Sequence, residues 1–283
     1  MLSDVTGLLR CPHCAAPLEL DDGQLGCATG HHFDVARQGY VNLLPGDAET
    51  GTADPAEMVQ ARVAFLATGA YAPISEGVAA LTRKLAASSG CVVDLGAGTG
   101  YYLEEALVQM PERVGLALDL SKPAARKAAR GDRIAAVVCD AWRALPVMDG
   151  VAAAVLSVFS PRNPGEMARI LAPGGVLVVV LPTDRHLAEL ISALGLLGVD
   201  ERKRERLEDK LGSRFERVEE ERLEFPMRLG ADAVRALVGM GPSAYHVDSG
   251  EIERRVAALP EPVDTTASVT VAAFRPRASG GDG

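Results

Sequence analysis

Cysteine and histidine cluster near the N-terminus at a spacing that suits a metal ion. Cys11-Pro-His-Cys14 is followed after twelve residues by Cys27-Ala-Thr-Gly-His31-His32. Two short knuckles of this kind can bring three thiolates and one imidazole onto one tetrahedral zinc ion. A site closed by protein on every side has no position for substrate, so the zinc it predicts is structural and folds a segment too small to build its own core. Cys11, Cys14 and Cys27 supply the thiolates. The imidazole stays open between His31 and His32, with His13 disfavoured by its place inside the first knuckle. Metal-free buried cysteines are the alternative, and the low apolar content of the segment opposes it.

A second group of residues suits a nucleotide-containing cofactor. Residues 91–100 read Cys-Val-Val-Asp-Leu-Gly-Ala-Gly-Thr-Gly, an apolar strand running into a loop with glycine at alternate positions. Gly96, Gly98 and Gly100 let the backbone turn tightly against a ligand, and a helix from Tyr101 directs its free N–H groups at the same place. The spacing D-x-G-x-G-x-G departs from the dinucleotide pattern G-x-G-x-x-G. The following strand, Val114-Gly-Leu-Ala-Leu-Asp119, ends in an acid able to accept both hydroxyls of a ribose. Asp140, after the next strand, can take an adenine amine or cap the turn before Trp142. Loop and acid together resemble the class I methyltransferase signature, which implies that Asp94, Gly96, Gly98, Thr99, Gly100 and Tyr101 surround the methionine end of S-adenosylmethionine and Asp119 its ribose.

These residues need a scaffold, and the punctuation of the chain supplies one. Residues 1–45 form the zinc-binding module, and Pro45 to Pro55, rich in Gly, Asp and Thr, reads as a mobile linker. The stretch 46–87 is linker followed by helix, with Met58, Ala61, Arg62, Phe65 and Leu66 at helical spacing and breaks at Gly69 and Pro73. Strands near 91–95, 114–119, 134–138, 151–158 and 175–181 alternate with helices, which implies a parallel, doubly wound α/β sheet over residues 88–276. A long helix is expected from about Arg185, a solvated helix face over Glu201-Arg-Lys-Arg-Glu-Arg-Leu-Glu-Asp-Lys210, a final strand over 265–274 and a disordered tail at 277–283.

The chain as a whole resembles the large-subunit (23S) ribosomal RNA guanine-N1 methyltransferases. The resemblance is carried by the zinc knuckles, Phe33-Asp-Val-Ala-Arg-Gln-Gly-Tyr-Val-Asn-Leu-Leu44, Met58-Val-Gln-Ala-Arg62, Asp94-Leu-Gly-Ala-Gly-Thr-Gly-Tyr-Tyr102 and Arg185-His186-Leu-Ala-Glu-Leu190, in that order. Ser157-Val-Phe-Ser-Pro-Arg-Asn-Pro164 and Met240-Gly-Pro-Ser-Ala-Tyr-His246 look like the branch from Gram-positive and antibiotic-producing bacteria, associated with resistance to tylosin-type macrolides. The resemblance implies a class I (Rossmann-like) methyltransferase with a small N-terminal zinc-binding domain, and His31 as the fourth zinc ligand. It further implies Tyr71 and His186 beside S-adenosylmethionine, a homodimer, and a hairpin-loop guanine facing the peptide exit tunnel as substrate. Read alone, Tyr71 is equally a helix-packing residue, and His186, just past a strand end, either a contact for the cofactor carboxylate or a surface residue. The loop after the fourth strand receives the target base in this class. Ser157, Phe159 and Arg162 are therefore the candidates there, Phe159 for stacking and Arg162 for orientation or charge. Guanine N1 carries a proton in the neutral base, so deprotonation must accompany attack, and no residue of the loop is an evident general base.

Composition sets the outer limits. The 283 residues are 48% hydrophobic, enough for a buried core, and no run of about 18 apolar residues or signal pattern occurs, which points to a cytoplasmic, membrane-free protein. Five cysteines, an odd number that includes Cys91 and Cys139 within apolar strands, do not suggest a secreted disulfide framework. A net charge of −9 opposes wholesale polyanion binding, although Lys122, Arg126, Lys127, Arg130 and Arg133 form a local basic stretch that is either an RNA track or a solvated helix face. Two other functions use the same parts: a small-molecule methyltransferase braced by zinc, and a zinc-dependent RNA-binding protein with an inactive core.

Overall fold

The computed structural model describes residues 2–196, 211–241 and 249–277; the stretch 201–210, positions 242–246 of the Met240 motif and the tail 278–283 lie outside them. The N-terminal segment forms an antiparallel meander of β1 (Leu18–Asp21), β2 (Gln24–Cys27) and β3 (His32–Asp34). The next strand, β4 (Tyr40–Asn42), leaves the meander and joins the large sheet. Two helices follow, α1 (Ala56–Leu66) and α2 (Ala72–Leu85). Pro73 lies in the first turn of α2, where its missing N–H would have no helical partner, so it opens the second helix.

The alternating core runs β5 (Cys91–Leu95), α3 (Tyr101–Val108), β6 (Gly115–Asp119), α4 (Lys122–Ala128), β7 (Ile134–Val138), β8 (Ala152–Val158), α5 (Pro164–Ile170), β9 (Leu171–Pro182) and α6 (Ala188–Leu194). It closes with β10 (Phe215–Leu229), α7 (Ala231–Gly239), α8 (Ser249–Ala257) and β11 (Val263–Pro276). The expected long helix from Arg185 begins instead at Ala188, because Thr183 to Leu187 make a turn closed by the His186 N–H on the Thr183 carbonyl.

Among the described residues the large sheet has the order β10-β11-β9-β8-β5-β6-β7-β4. All neighbours from β9 to β4 pair in parallel, whereas β11 is antiparallel to both β9 and β10. Strands β5, β7 and β8 are buried along their whole length, as unbroken apolar runs in a sheet covered on both faces must be. The chain winds outward in one direction from β5 through β6 to β7, then crosses back to β8 on the other side. That reversal opens a crevice outside the carboxyl ends of β5 and β8, where open α/β sheets bind ligands.

The zinc module is built into this frame. Leu9, Leu18, Leu25, Val41 and Leu43 share one hydrophobic core with Leu116, Leu118, Val137 and Leu145 of the sheet and its loops. The Arg10 Nε donates to the Leu145 carbonyl at 3.1 Å, and β4 extends the sheet edge beside β7.

Candidate active site and metal centre

The ligand atoms of Cys11, Cys14, Cys27 and His31 lie within 4.8 Å of one another. His31 Nδ1 is 3.5 Å from Cys11 Sγ and 3.4 Å from Cys27 Sγ, and Cys14 Sγ is 3.7 Å from Cys27 Sγ. Zinc bonds of about 2.3 Å to sulfur and about 2.05 Å to nitrogen give tetrahedral edges of roughly 3.8 Å (S to S) and roughly 3.5 Å (S to N). The donor set therefore fits zinc. His32 stands on β3 with its ring against Gly26, and His13 stacks on Phe33 at 5.9 Å, so neither ring joins the cluster. Thr29, which ligand spacing alone does not announce, sets its hydroxyl 2.9 Å from Cys14 Sγ and 3.1 Å from Cys27 Sγ, where it can donate to the thiolates.

The glycine loop follows β5 directly. Gly96 has φ +73°, and a Cβ there would stand 2.5 Å from the Ser160 Cβ, so this position needs glycine both for its backbone and for the approach of the next loop. Asp119, at the end of β6, accepts the Gly98 N–H at 2.7 Å through Oδ2 and the Ser121 N–H at 2.8 Å through Oδ1. Burial raises its pKa, partly offset by those two donors. Asp94 is buried, and burial together with the neighbouring Asp119 pushes its carboxyl up to about 8. Its Oδ2 has no hydrogen-bond partner among the described residues. A buried carboxylate oxygen without a donor beside a glycine loop fits a ligand that brings a cation or N–H group of its own, as the ammonium of S-adenosylmethionine does. Thr99 is buried within the loop, and Tyr101 begins α3 with its ring edge-on to Tyr102.

A third cluster unites residues far apart in the sequence. The Tyr71 Oη is 3.0 Å from His186 Nε2, and the Ser268 N–H donates to His186 Nδ1 at 3.2 Å. Burial pushes this imidazole down to about 4, so the ring is neutral near pH 7. With Nδ1 accepting, the ring proton sits on Nε2 and is donated to the Tyr71 oxygen, which leaves the Tyr71 O–H available to donate elsewhere. His186 is thus buried and is not the surface residue of one reading. Phe159 stands against both, with ring centroids 5.8 Å from His186 and 6.3 Å from Tyr71. Phe159 is 41% exposed and holds φ at +52°, a strained left-handed conformation for a residue with a side chain.

The rest of that loop supports Phe159. Ser157 is buried with its Oγ 3.0 Å from the Ser160 Oγ, which braces the turn. Arg162 is buried, donates from Nη2 to the Val180 carbonyl at 3.2 Å, and leaves Nε without a partner among the described residues. Burial pushes its guanidinium down to about 10. Asp140 accepts the Trp142 N–H at 2.9 Å and lies 3.7 Å from the Arg143 Nε, the turn-capping arrangement. Of the basic stretch, Lys122, Arg126, Lys127 and Arg130 are exposed, and their side chains make no hydrogen bond or ion pair among the described residues, only main-chain bonds such as Arg130 N–H to the Lys127 carbonyl. Arg133 is different: it donates to the carbonyls of Leu107, Met110, Pro111 and Arg113 and so ties off the end of α3.

Two residues of the site escape the sequence patterns. Ser268 on β11 fixes the tautomer of His186 through its backbone, which no side-chain motif records. Arg62 on α1 sets its Nη1 3.3 Å from where a Gly98 Cβ would be; the sequence marks it only as a helical position within the Met58–Arg62 motif and gives it no role.

Residues 9–49 match the family model described as "RlmA, N-terminal", a zinc ribbon. A protein of Streptomyces fradiae named 23S rRNA (guanine(748)-N(1))-methyltransferase is 50% identical over 279 residues, covering 98% of this chain and 99% of that one. A putative 23S rRNA (guanine-N(1)-)-methyltransferase of Micromonospora griseorubida is 46% identical over 295 residues, covering 98% and 100%. Solved structures resemble it distantly: a putative type II methyltransferase from Anaeromyxobacter dehalogenans, 16% identical with a TM-score of 0.48, covers 71% of this chain and 95% of its own.

Proposed function

The chain belongs to the 23S rRNA guanine-N1 methyltransferases, and from that premise we propose that it methylates N1 of one guanine in a hairpin loop of large-subunit rRNA that faces the peptide exit tunnel. The observation that carries this reading is the meeting of the Phe159 ring with Tyr71 and His186, one loop away from Gly96. A half-exposed aromatic held in a strained conformation beside the cofactor crevice is a stacking platform for an extruded base, and an unpaired loop guanine costs least to extrude.

S-adenosylmethionine, when bound, supplies an already activated methyl group on its sulfonium. What remains for the protein is alignment, which is worth of order 7–11 kcal/mol in well-oriented reactions. Asp94 and the 96–100 loop would hold the methionine end, Asp119 the ribose, and Asp140 the adenine side, with Tyr71 contributing its free O–H. Arg162, a buried cation with an unused N–H and no carboxylate partner among the described residues, would stabilise the negative charge that guanine gains as its N1 proton leaves. Ser157 would keep the loop in place. Lys122, Arg126, Lys127 and Arg130, exposed on and just after α4, would offer phosphate contacts despite the acidic total. A substrate in ribosomal RNA would put the protein in the cytoplasm, and a consequence for susceptibility to tylosin-type macrolides would follow if the modified base lines the tunnel. The dimer implied by the family resemblance would double the 29.7 kDa chain mass in light scattering.

The test is transfer of labelled methyl from S-adenosylmethionine to a transcript of the tunnel-facing hairpin, with the loop guanine changed to adenine as control. Phe159→Ala should lower kcat/KM for RNA at least tenfold while cofactor affinity stays within twofold. Equal labelling of both transcripts, or transfer only to a small metabolite, overturns the assignment.

A further inference from the structure

The methionine end of S-adenosylmethionine carries a carboxylate, and none of the residues assigned so far neutralises it. His186 is neutral and spends its Nε2–H on Tyr71, and Asp94 and Asp119 are acids. Arg162 is bound to the Val180 carbonyl and belongs to the target loop. Arg62 is placed differently. Its Nη1 and Cδ lie 3.3 and 3.5 Å from the position a Cβ on Gly98 would occupy, so the guanidinium lies against the open side of the glycine loop. Its field also reaches Asp119, where it favours the ionised carboxylate.

The guanidinium is held from two sides. Nη1 donates to Asp54 Oδ2 at 2.6 Å and Nη2 to the Met240 carbonyl at 3.2 Å. Asp54 is itself fixed by its backbone carbonyl, which accepts the Ser121 Oγ–H at 2.6 Å at the start of α4. An arginine has five N–H donors in a rigid fork, and these two bonds use only part of them. A purely structural ion pair tying the linker to α1 would need no position over the loop, and a pair about three-quarters shielded on each side adds little stability by itself.

We infer that Arg62 binds the carboxylate of S-adenosylmethionine, anchored by Asp54 and the Met240 carbonyl so that its remaining N–H groups point into the crevice. This rests on the methyltransferase reading and adds a determinant of cofactor choice to it: the site selects cofactors that retain the amino-acid carboxylate.

The experiment compares binding of S-adenosylmethionine and decarboxylated S-adenosylmethionine to zinc-loaded full-length protein by titration calorimetry, in wild type, Arg62→Met, Arg62→Lys and Asp54→Asn. Wild type should prefer the carboxylate-bearing cofactor roughly tenfold or more, about the size of one charge-assisted hydrogen bond. Arg62→Met should reduce that preference to under twofold, Arg62→Lys should keep part of it, and Asp54→Asn most of it. A preference unchanged in Arg62→Met, or equal weakening of both ligands, overturns the inference. If Arg62→Met does not fold, judged by circular dichroism and zinc content, the Lys variant decides: a preference equal to wild type counts against the inference and an intermediate one supports it. Failure of wild type to bind S-adenosylmethionine at all would strike the methyltransferase reading, not Arg62 alone.

Discussion

At the scale of single residues, the site depends on a few positions whose backbone or ionisation is dictated by their surroundings. Gly96 and Gly174 have nearly the same left-handed φ, +73° and +75°, but a Cβ meets Ser160 at the first and nothing within 4 Å at the second. Gly96→Ala should therefore weaken S-adenosylmethionine binding more than tenfold in calorimetry, while Gly174→Ala costs roughly 1 kcal/mol of stability and leaves binding intact. Comparable losses in both variants would show that the contact with the target loop is irrelevant. Asp94 gives a pH signature. Its folded carboxyl is raised to about 8, so the native chain holds a proton that the unfolded chain releases near pH 4, and stability falls as pH rises between those values. Asp94→Asn removes that cost. The ligand-free variant should melt several degrees above wild type at pH 8.5, the gap should close toward pH 5, and cofactor affinity should drop; a gap independent of pH contradicts the account. The sequence made Asp94 and the glycines legible because loop chemistry depends on residue type at fixed spacing. It could not show Ser268 acting through its N–H, nor the choice between His31 and His32, because both depend on where the chain folds back.

At the scale of elements, what the sequence revealed depended on burial. Strands β5 to β9 are apolar runs between turn signals and are readable to within a few residues, apart from β9, which starts at Leu171 because a register shift across residues 172–175 lets Leu171 pair with Ala152. Strand β10 was not expected. Its first half is crowded with charge, as an exposed sheet edge tolerates, yet Leu223, Phe225, Met227 and Leu229 alternate inward and gave a period-two signal that the surrounding charge obscured. Strand β4 is three residues long and its partner lies almost a hundred residues away, beyond any local pattern. Its pairing has a measurable result. Because the zinc module shares core and sheet with the rest, stripping zinc with a strong chelator should lower the Tm on the order of 10 °C in one cooperative transition. Two separated transitions, the upper one unchanged, would mean that the module folds and melts alone.

At the scale of the whole molecule, an acidic protein of net charge −9 must still engage RNA, and the arrangement that allows this is local. Phe159 is exposed on the loop after β8, and Lys122, Arg126, Lys127 and Arg130 stand exposed on and just beyond α4, so stacking and phosphate contacts can come from local patches while the remaining surface repels polyanions. The zinc module, more acidic than basic, adds no cationic patch of its own. The measurement that bears most directly on this account is primer extension on 23S rRNA from a strain lacking a guanine-N1 methyltransferase, with this chain expressed from a plasmid. The account predicts one new stop at a single guanine in the tunnel-facing hairpin loop, absent with an empty plasmid and strongly reduced with Phe159→Ala. No new stop from protein confirmed to be folded and zinc-loaded, or a stop outside that loop, would contradict it.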